Sequence, residues 1–330
     1  MKTILVTGGG GFIGSNLVAG LLARGTHHVV VCDTFGTSDK WRNLSKHCVY
    51  EIIAPDQMFD WLEVNRQQVE MVYHLGSISS TVENDLDLVL QHNFALSLKL
   101  WRWCISRSVR LVYASAAATY GDGKNGFDDN TDLAHMAKFT SLSGYGWSKH
   151  MFDIHVAGAV ARGEAQIPQW VGLKFFNNYG PNEYHKGEQR SVISKMAPHA
   201  IQGAAVRLFR SYDKQYPDGE QRRDVVYVKD TVRVLLWMLD HSAVSGLFNL
   251  GTGKAVTFNQ MANAIFAALN RKPNIHYIDM PETLVNKYQY FTEANMTKLR
   301  AAGYTEPFTP LEEGIRDYVQ NYMLKDDPYL

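Results

Sequence analysis

Thr3-Ile-Leu-Val-Thr7 runs straight into Gly8-Gly-Gly-Gly11-Phe12-Ile13-Gly14, and the stretch from Ser15 to Leu22 that follows is spaced as a helix. A short apolar run without polar alternation reads as a buried strand. A strand that turns through glycines directly into a helix is the setting in which a glycine fingerprint carries weight. Gly8 permits the tight turn, Gly11 lets the backbone approach a pyrophosphate, and Gly14 lets the helix pack on the strand. The unpaired amides at the helix start then face an anion. A second apolar run, Val29-Val30-Val31-Cys32, stops at Asp33. An acid about 20 positions beyond the glycines suits an adenine-ribose hydroxyl. Glycine runs also mark plain turns, and aspartate also ends strands; the full order of strand, loop, helix, strand and acid favours dinucleotide binding. Asp33 speaks for a free 2′-hydroxyl, whereas Lys40 and Arg42 in the next loop could neutralise a 2′-phosphate, so both NAD and NADP stay open.

Outward from this unit the pattern repeats. Strand-like runs at 3–7, 28–32, 69–74, 109–114 and 169–175 alternate with helical spacing at 15–24, 57–66, 84–106, 146–162 and 192–203. That rhythm predicts an α/β fold with a doubly wound parallel (Rossmann) sheet. Ligands in such folds sit at the carboxyl ends of the strands, and Gly8–Gly14, Asp33, Leu75–Ser79, Ser115 and Asn177 all fall just after strands. Beyond 176 loops lengthen and charge rises, notably over 210–224, while 225–228 and 246–250 read as further strands and 230–239 as a helix. The expected division is a dinucleotide-binding domain of 1–176 plus about 225–250, and a smaller α/β substrate lobe of 177–224 plus about 251–330.

The chain has 330 residues, 45% of them apolar, which is ample for a full core. Its formal net charge of +0 and the lack of a basic block argue against nucleic acid as a partner. Cys32, Cys48 and Cys104 are odd in number and scattered, with neither a disulfide framework nor metal spacing, which suits a reducing cytosol. Met1-Lys2 leads directly into the first strand, and no apolar run approaches the ~18 residues of a membrane span. The expectation is a cytoplasmic protein without membrane, nucleic-acid or metal partners. Trp101 and Trp103, with Leu96, Leu98 and Leu100, place the 84–106 helix in a core or at a subunit interface, and such faces point to a homo-oligomer. His74, ending an apolar strand, reads as a structural hydrogen-bonder.

Tyr145 and Lys149 lie four residues apart and share one face of a helix. Chance pairs of this kind are common on solvated faces. Behind a glycine fingerprint, an ammonium beside a phenol is expected to pull the tyrosine down from about 10 toward the range of a working base.

Together with the glycine loop, Tyr145-x-x-x-Lys149 resembles the extended short-chain dehydrogenase/reductases. His74-Leu-Gly-Ser-Ile-Ser-Ser-Thr81, Tyr113-Ala-Ser-Ala-Ala-Ala-Thr-Tyr-Gly121, Phe175-Phe-Asn-Asn-Tyr-Gly-Pro181, Arg223-Asp-Val-Val-Tyr-Val228 and Phe248-Asn-Leu-Gly-Thr-Gly253 extend the resemblance across almost the whole chain. Tyr179-Gly-Pro-Asn-Glu-Tyr-His-Lys186-Gly, Asp39-Lys40-Trp-Arg-Asn-Leu44, Gln289-Tyr-Phe-Thr292 and Leu299-Arg-Ala-Ala-Gly-Tyr304 look like the branch of ADP-glyceromanno-heptose 6-epimerases. That branch implies a tightly held, recycled NADP, with NAD as the alternative, and a nucleotide-diphosphate sugar as substrate. The implied reaction inverts C6 of an ADP-linked glycero-manno-heptose by transient oxidation and re-reduction, a step in lipopolysaccharide core precursor synthesis.

The resemblance assigns catalysis to Tyr145, Lys149, Lys186 and Ser115. It assigns the cofactor to Gly8, Gly11, Phe12, Ile13, Gly14, Asp33, Thr34, Lys40, Leu75, Gly76, Ser77, Asn93 and Asn178, besides Tyr145 and Lys149. Substrate contacts fall to Ser79, Asn177, Glu188, Lys195, Phe209, Arg223 and Tyr288. Two other readings of Lys186 stay open at this point: a solvated surface lysine, or, beside His185, a charge for the diphosphate. Arg223 reads as a diphosphate clamp or as an ion-pair partner of Asp224 or Asp230.

Departures from the branch are specific. Ala116 stands where a catalytic serine is expected. Ser115 next to it points to the other face of a regular strand, unless the strand end relaxes or Thr119 approaches. Leu75 replaces the usual glutamate, Asn182 the usual arginine, and the 210–224 loop is longer. Neighbouring alternatives are another nucleotide-sugar epimerase or reductase, or a nucleotide-sugar-binding protein with weakened catalysis. Ala116-Ala117-Ala118-Thr119 lacks the acid/base pair a dehydratase needs, and the Gly-x-Ser-x-Gly elbow of hydrolases is absent.

Overall fold

The computed structural model describes residues 1–285 and 288–330. Seven parallel strands form the central sheet: β1 (Thr3–Thr7), β2 (His28–Cys32), β3 (Glu51–Ile53), β4 (Val69–His74), β5 (Arg110–Ala116), β6 (Trp170–Phe175) and β7 (Gly246–Leu250). They lie in the order β7-β6-β5-β4-β1-β2-β3, every neighbouring pair parallel. The order reverses beside β1, which opens a crevice at the carboxyl edge above the glycine loop.

Alternation along β1 divides the core. Ile4 and Val6 join one buried cluster with Leu17, Leu21, Leu235 and Met238, under the helices Phe12–Arg24 and Val228–Asp240. Leu5 joins the other with Val30, Trp101, Tyr113 and Phe152, under Leu96–Arg107 and Gly144–Ala161. Trp101 and Trp103 are both buried within this second cluster, as the core reading of the 84–106 helix expects. A third cluster sits away from the sheet, where Ile193, Met196, Leu208, Met261, Ile265 and Ile315 pack together.

The predicted helices are present with shifted ends. The first begins at Phe12, three residues earlier than its apolar spacing suggests, because glycines in its first turn carry no pattern. The helix over 84–106 is a continuous helical run from Leu86 to Arg107 with a π-helical turn at Gln91–Ala95, and Asp85 caps it by accepting from the Leu88 amide at 2.9 Å. Periodicity left unassigned the strand β3, the parallel pair Val206–Phe209 and Ile275–Ile278, and the helices Phe258–Ala268 and Leu311–Tyr318. Thr257 and Gln260 close a full capping box on the first of those helices.

Candidate active site

The glycine loop is built by close approach. Gly8 takes φ +67°, and a Cβ on Gly14 would sit 2.0 Å from the Gly8 carbonyl oxygen. The helix Phe12–Arg24 starts without a side-chain cap and without an acidic residue in its first turn, leaving its amide end open to an anion. A cradle that only glycine fits, an uncapped helix start and an acid at the end of β2 together fit a dinucleotide pyrophosphate and ribose. Gly14→Ala is expected to abolish dinucleotide binding, measured as the loss of NADPH fluorescence enhancement on titration.

A cavity of about 570 Å³ opens over this loop at the carboxyl ends of β1, β4, β5 and β6. Its walls bring together most of the expected residues: Gly8, Gly11, Phe12, Ile13 and Gly14 from the loop, and Asp33 and Lys40 beyond β2. Leu75, Gly76, Ser77 and Ser79 line it after β4, Tyr145 from its helix, and Asn177, Asn178, Lys186 and Arg223 from the far part of the chain.

Asp33 accepts from the Gly10 amide (2.8 Å), the Thr34 amide (2.7 Å) and Lys40 Nζ (2.6 Å). Lys40 is therefore already paired with the acid at the end of β2. Arg42 is turned away: its guanidinium lies 4.5 Å over the Tyr329 ring and 3.9 Å from Asp327, so it is not the second phosphate partner the sequence allowed. Thr34 is outside the cavity wall and engages Asp33 and Lys40 through its backbone.

Tyr145 is half-buried at the cavity wall, one helical turn before the fully buried Lys149. Ser143 caps the helix start by accepting from the Gly146 amide at 3.1 Å, which fixes Tyr145 in the first turn. The expected depression of the tyrosine is not found. Burial, with the Asp153 carboxylate adding to it, pushes the phenol up to about 12. Burial lowers the Lys149 ammonium to about 8, with Asp153 opposing. Desolvation disfavours both charged forms, and the neighbouring charge that acts on each is Asp153.

Ser115 is a correction. It borders the cavity, but it is buried and its hydroxyl is taken up by donating to Asp153 Oδ2 at 2.6 Å, so it is not free for a reacting oxygen. Strand alternation holds to the last residue, as the regular pairing of Ser115 with Lys174 and Ala116 with Phe175 shows. Thr119 donates to the Ala116 carbonyl (2.8 Å) and accepts from Lys174 Nζ (2.7 Å), so it does not replace the missing hydroxyl.

Asp153 also accepts from Lys174 Nζ (2.7 Å) and the Tyr113 hydroxyl (3.1 Å). This buried charged cluster was missed. Its signal was a lysine inside an apolar strand and an aspartate two turns beyond Tyr145 on the same helix face.

Asn93 does not line the cavity. Its amide clamps the Ile78 backbone in both directions at 2.9 Å and donates to Ser148 Oγ at 3.1 Å, tying the loop after β4 to the Tyr145 helix. His74 is the structural hydrogen-bonder expected, bridging Thr7 Oγ1 (2.7 Å) and Ser97 Oγ (2.8 Å).

Lys186 lies in the short turn Tyr184–Gln189, its ammonium 5.5 Å over the Phe12 ring. Burial lowers its pKa, and the surface reading is excluded by its place in the cavity wall. Burial and the neighbouring Lys40 and Lys186 charges hold His185 down to about 4, so it adds no charge for a diphosphate at neutral pH.

Arg223 pairs with no carboxylate among the described residues. Asp224 is bound to Thr252, Gly253 and Ala294, and Asp230 to Arg233 at 2.7 Å. The Arg223 guanidinium lies 5.4 Å over the Tyr288 ring, which in turn meets Phe209 edge-on at 6.5 Å. Tyr288 and Phe209 thus stand behind Arg223 rather than in the cavity wall.

Glu188 and Lys195 are a correction: they pair with each other at 3.1 Å on the surface, Glu188 94% exposed. Asn182 is buried in a left-handed conformation (φ 73°) and bonds Ser15 and the Leu330 amide, so it is a structural anchor and no substrate contact.

The model of the NAD dependent epimerase/dehydratase family matches residues 4–251. This chain belongs to that family. It is also similar along its whole length to curated relatives named ADP-L-glycero-D-manno-heptose-6-epimerase. One from Nitratidesulfovibrio vulgaris is 45% identical over 328 residues, covering 99% of both chains. One from Fusobacterium nucleatum is 41% identical over 335 residues, covering 99% of this chain and 100% of the other. The crystal structure of the Helicobacter pylori enzyme of that name superposes with a TM-score of 0.79 at 27% identity, over 97% of this chain and 96% of the other. The Thermus thermophilus UDP-glucose 4-epimerase complex with NAD gives 0.73 at 25%, over 97% and 98%. The family has the Rossmann fold and the nicotinamide cofactor class that the glycine loop announces. No described helix of this family member is long and apolar enough to cross a membrane, and no cluster of His, Cys, Asp and Glu among the described residues could hold a metal.

Proposed function

We infer that the protein is an isomerase that inverts C6 of an ADP-linked glycero-manno-heptose, with Tyr145 and Lys186 as its two acid/base groups. The observation that carries this reading is that two acid/base side chains, from separate parts of the chain, line one cavity with the glycine loop, and burial disfavours the charged form of each. The names of the full-length relatives supply the sugar and the nucleotide. A simple oxidation needs one such group; inversion through a ketone needs a proton moved on each face.

Gly8, Gly11, Phe12, Ile13 and Gly14 would hold the dinucleotide pyrophosphate, Asp33 and Lys40 the adenine ribose, and Lys149 the nicotinamide ribose. When bound, the nicotinamide supplies a hydride acceptor that returns the same hydride. Lys186, its ammonium disfavoured by burial, leans toward the base that takes the C6 hydroxyl proton. Tyr145, held as a phenol, leans toward the acid that protonates the ketone oxygen after the other face is presented. The roles exchange in the reverse direction. Arg223, without a carboxylate partner, offers its planar donors to the substrate diphosphate. Lys40 beside the ribose favours NADP over NAD.

We further read 1–176 with about 225–250 as the dinucleotide-binding domain and the remainder as the substrate lobe. The protein would act in the cytoplasm in lipopolysaccharide core precursor synthesis. Trp147, 40% exposed on the outer side of the Tyr145 helix, supports a homo-oligomer.

Denaturing the purified protein and identifying the released dinucleotide tests the cofactor. NADP is expected; no release together with no binding of added NAD or NADP would sink the enzymatic reading. Ala116 presents a methyl where a donor would aid the reacting oxygen. Ala116→Ser is expected to raise kcat by roughly 10- to 100-fold, within the 10²–10³ that one such donor contributes elsewhere. Initial rates on the heptose would check this, and an unchanged rate would mean that another group already fills the role.

A further inference from the structure

Glu183 is 0% exposed, and its carboxylate makes no ion pair among the described residues. It accepts from the Gly180 amide at 3.1 Å, from the Ser191 hydroxyl at 2.8 Å and from the Ser191 amide. Gly180 precedes the turn that carries Lys186, and Ser191 ends it. Ser191 also caps the helix Val192–Ile201, accepting from the Ser194 amide at 3.1 Å. Between these anchors the Lys186 amide donates to the Glu183 carbonyl at 3.1 Å, and Gly187 takes φ 52° to reverse the chain.

We propose that Glu183 is the positioning residue of Lys186: its buried carboxylate closes the loop over residues 184–190 and holds the lysine ammonium in the cavity. The proposal rests on reading Lys186 as an acid/base group.

Both carboxylate oxygens accept, so a glutamine would set its amide nitrogen against one of these donors, and the bonds themselves call for a carboxylate. The charge also answers what it faces. Around Lys186 stand His185 and Arg190 on its own turn, the Asp33–Lys40 pair across the cavity, and Tyr184 and Tyr318 beneath. Asp33 is neutralised by Lys40, and Glu188 by Lys195. Glu183 is the carboxylate left to oppose the desolvation of Lys186, and it raises the lysine where burial lowers it. Position and protonation of Lys186 thus both depend on this side chain, which works against burial.

The test uses the full chain with its cofactor and the two ADP-heptose epimers. Lysines are labelled by reductive ¹³C-dimethylation, and the Lys186 resonance is assigned as the one missing from Lys186→Arg. In Glu183→Gln, kcat is expected to fall about tenfold with KM within about twofold, and the Lys186 titration to move to lower pH. Ser191→Ala removes the hydroxyl bond to Glu183 and the helix cap without touching the charge; its titration stays in place and its kcat falls less. This second variant keeps the test valid should Glu183→Gln fold poorly, because an equal kcat loss there would overturn the proposal. A Glu183→Gln protein with wild-type kcat and titration would overturn it too. Turnover by Lys186→Arg at the wild-type rate would instead defeat the acid/base reading of Lys186 itself.

Discussion

Tyr145→Phe is expected to lower kcat by about 10³-fold, within the range for losing a positioned acid/base group, while dinucleotide binding stays within a few-fold of wild type. Phenylalanine keeps the ring that lines the cavity and removes only the hydroxyl. The Lys186→Met variant is expected to fall as far, because each group serves one face of the carbinol. The double variant should then lose little more than either single one, since removing one proton carrier already blocks the cycle. Steady-state rates and NADPH titration separate the two effects. A Tyr145→Phe protein with wild-type kcat would remove Tyr145 from the chemistry.

The second large effect lies under the site. Lys174 and Asp153 form a buried ion pair at 2.7 Å, with side chains 3% and 0% exposed. Lys174→Met leaves the Asp153 carboxylate buried, still bonded to Ser115 and Tyr113 but without its cation. Breaking one partner out of such a pair costs about 3–5 kcal/mol, whereas replacing both by apolar groups is far better tolerated. Urea unfolding is expected to show that loss in Lys174→Met and a substantial recovery in the Lys174→Met/Asp153→Leu double variant. The same pair braces β6 against the Tyr145 helix, so the single variant should also lose turnover. Equal stability of the single variant and wild type would mean that Asp153 sheds its charge without cost.

Local signals made the centre of the fold legible. β1, the glycine turn and β2 with Asp33 lie within one short stretch, and each element's residues agree with its neighbours. Tyr145 and Lys149 were equally plain, because helical spacing places them on one face. What sequence spacing does not carry is desolvation: the same two residues, once buried, have their pKa values moved apart by a term that depends on the whole fold. Lys186, Glu183 and Arg223 come from a distant part of the chain, and only tertiary structure brings them over the glycine loop. Glu188 and Lys195 illustrate the converse. They sit near Lys186 in sequence, yet helical turns rotate them outward to pair on the surface. Ser115 and Ala116 differ by one position on a strand, and that step decides which side chain Asp153 takes up.

The central claim is inversion at C6 by oxidation and return of the same hydride. It is tested most directly by incubating the protein with one ADP-glyceromanno-heptose epimer in deuterated water and following C6 by NMR. The account predicts that both C6 epimers appear, that the C6 hydrogen remains protium, and that the dinucleotide is neither consumed nor accumulated in reduced form. No interconversion, or epimers carrying solvent deuterium at C6, would contradict it.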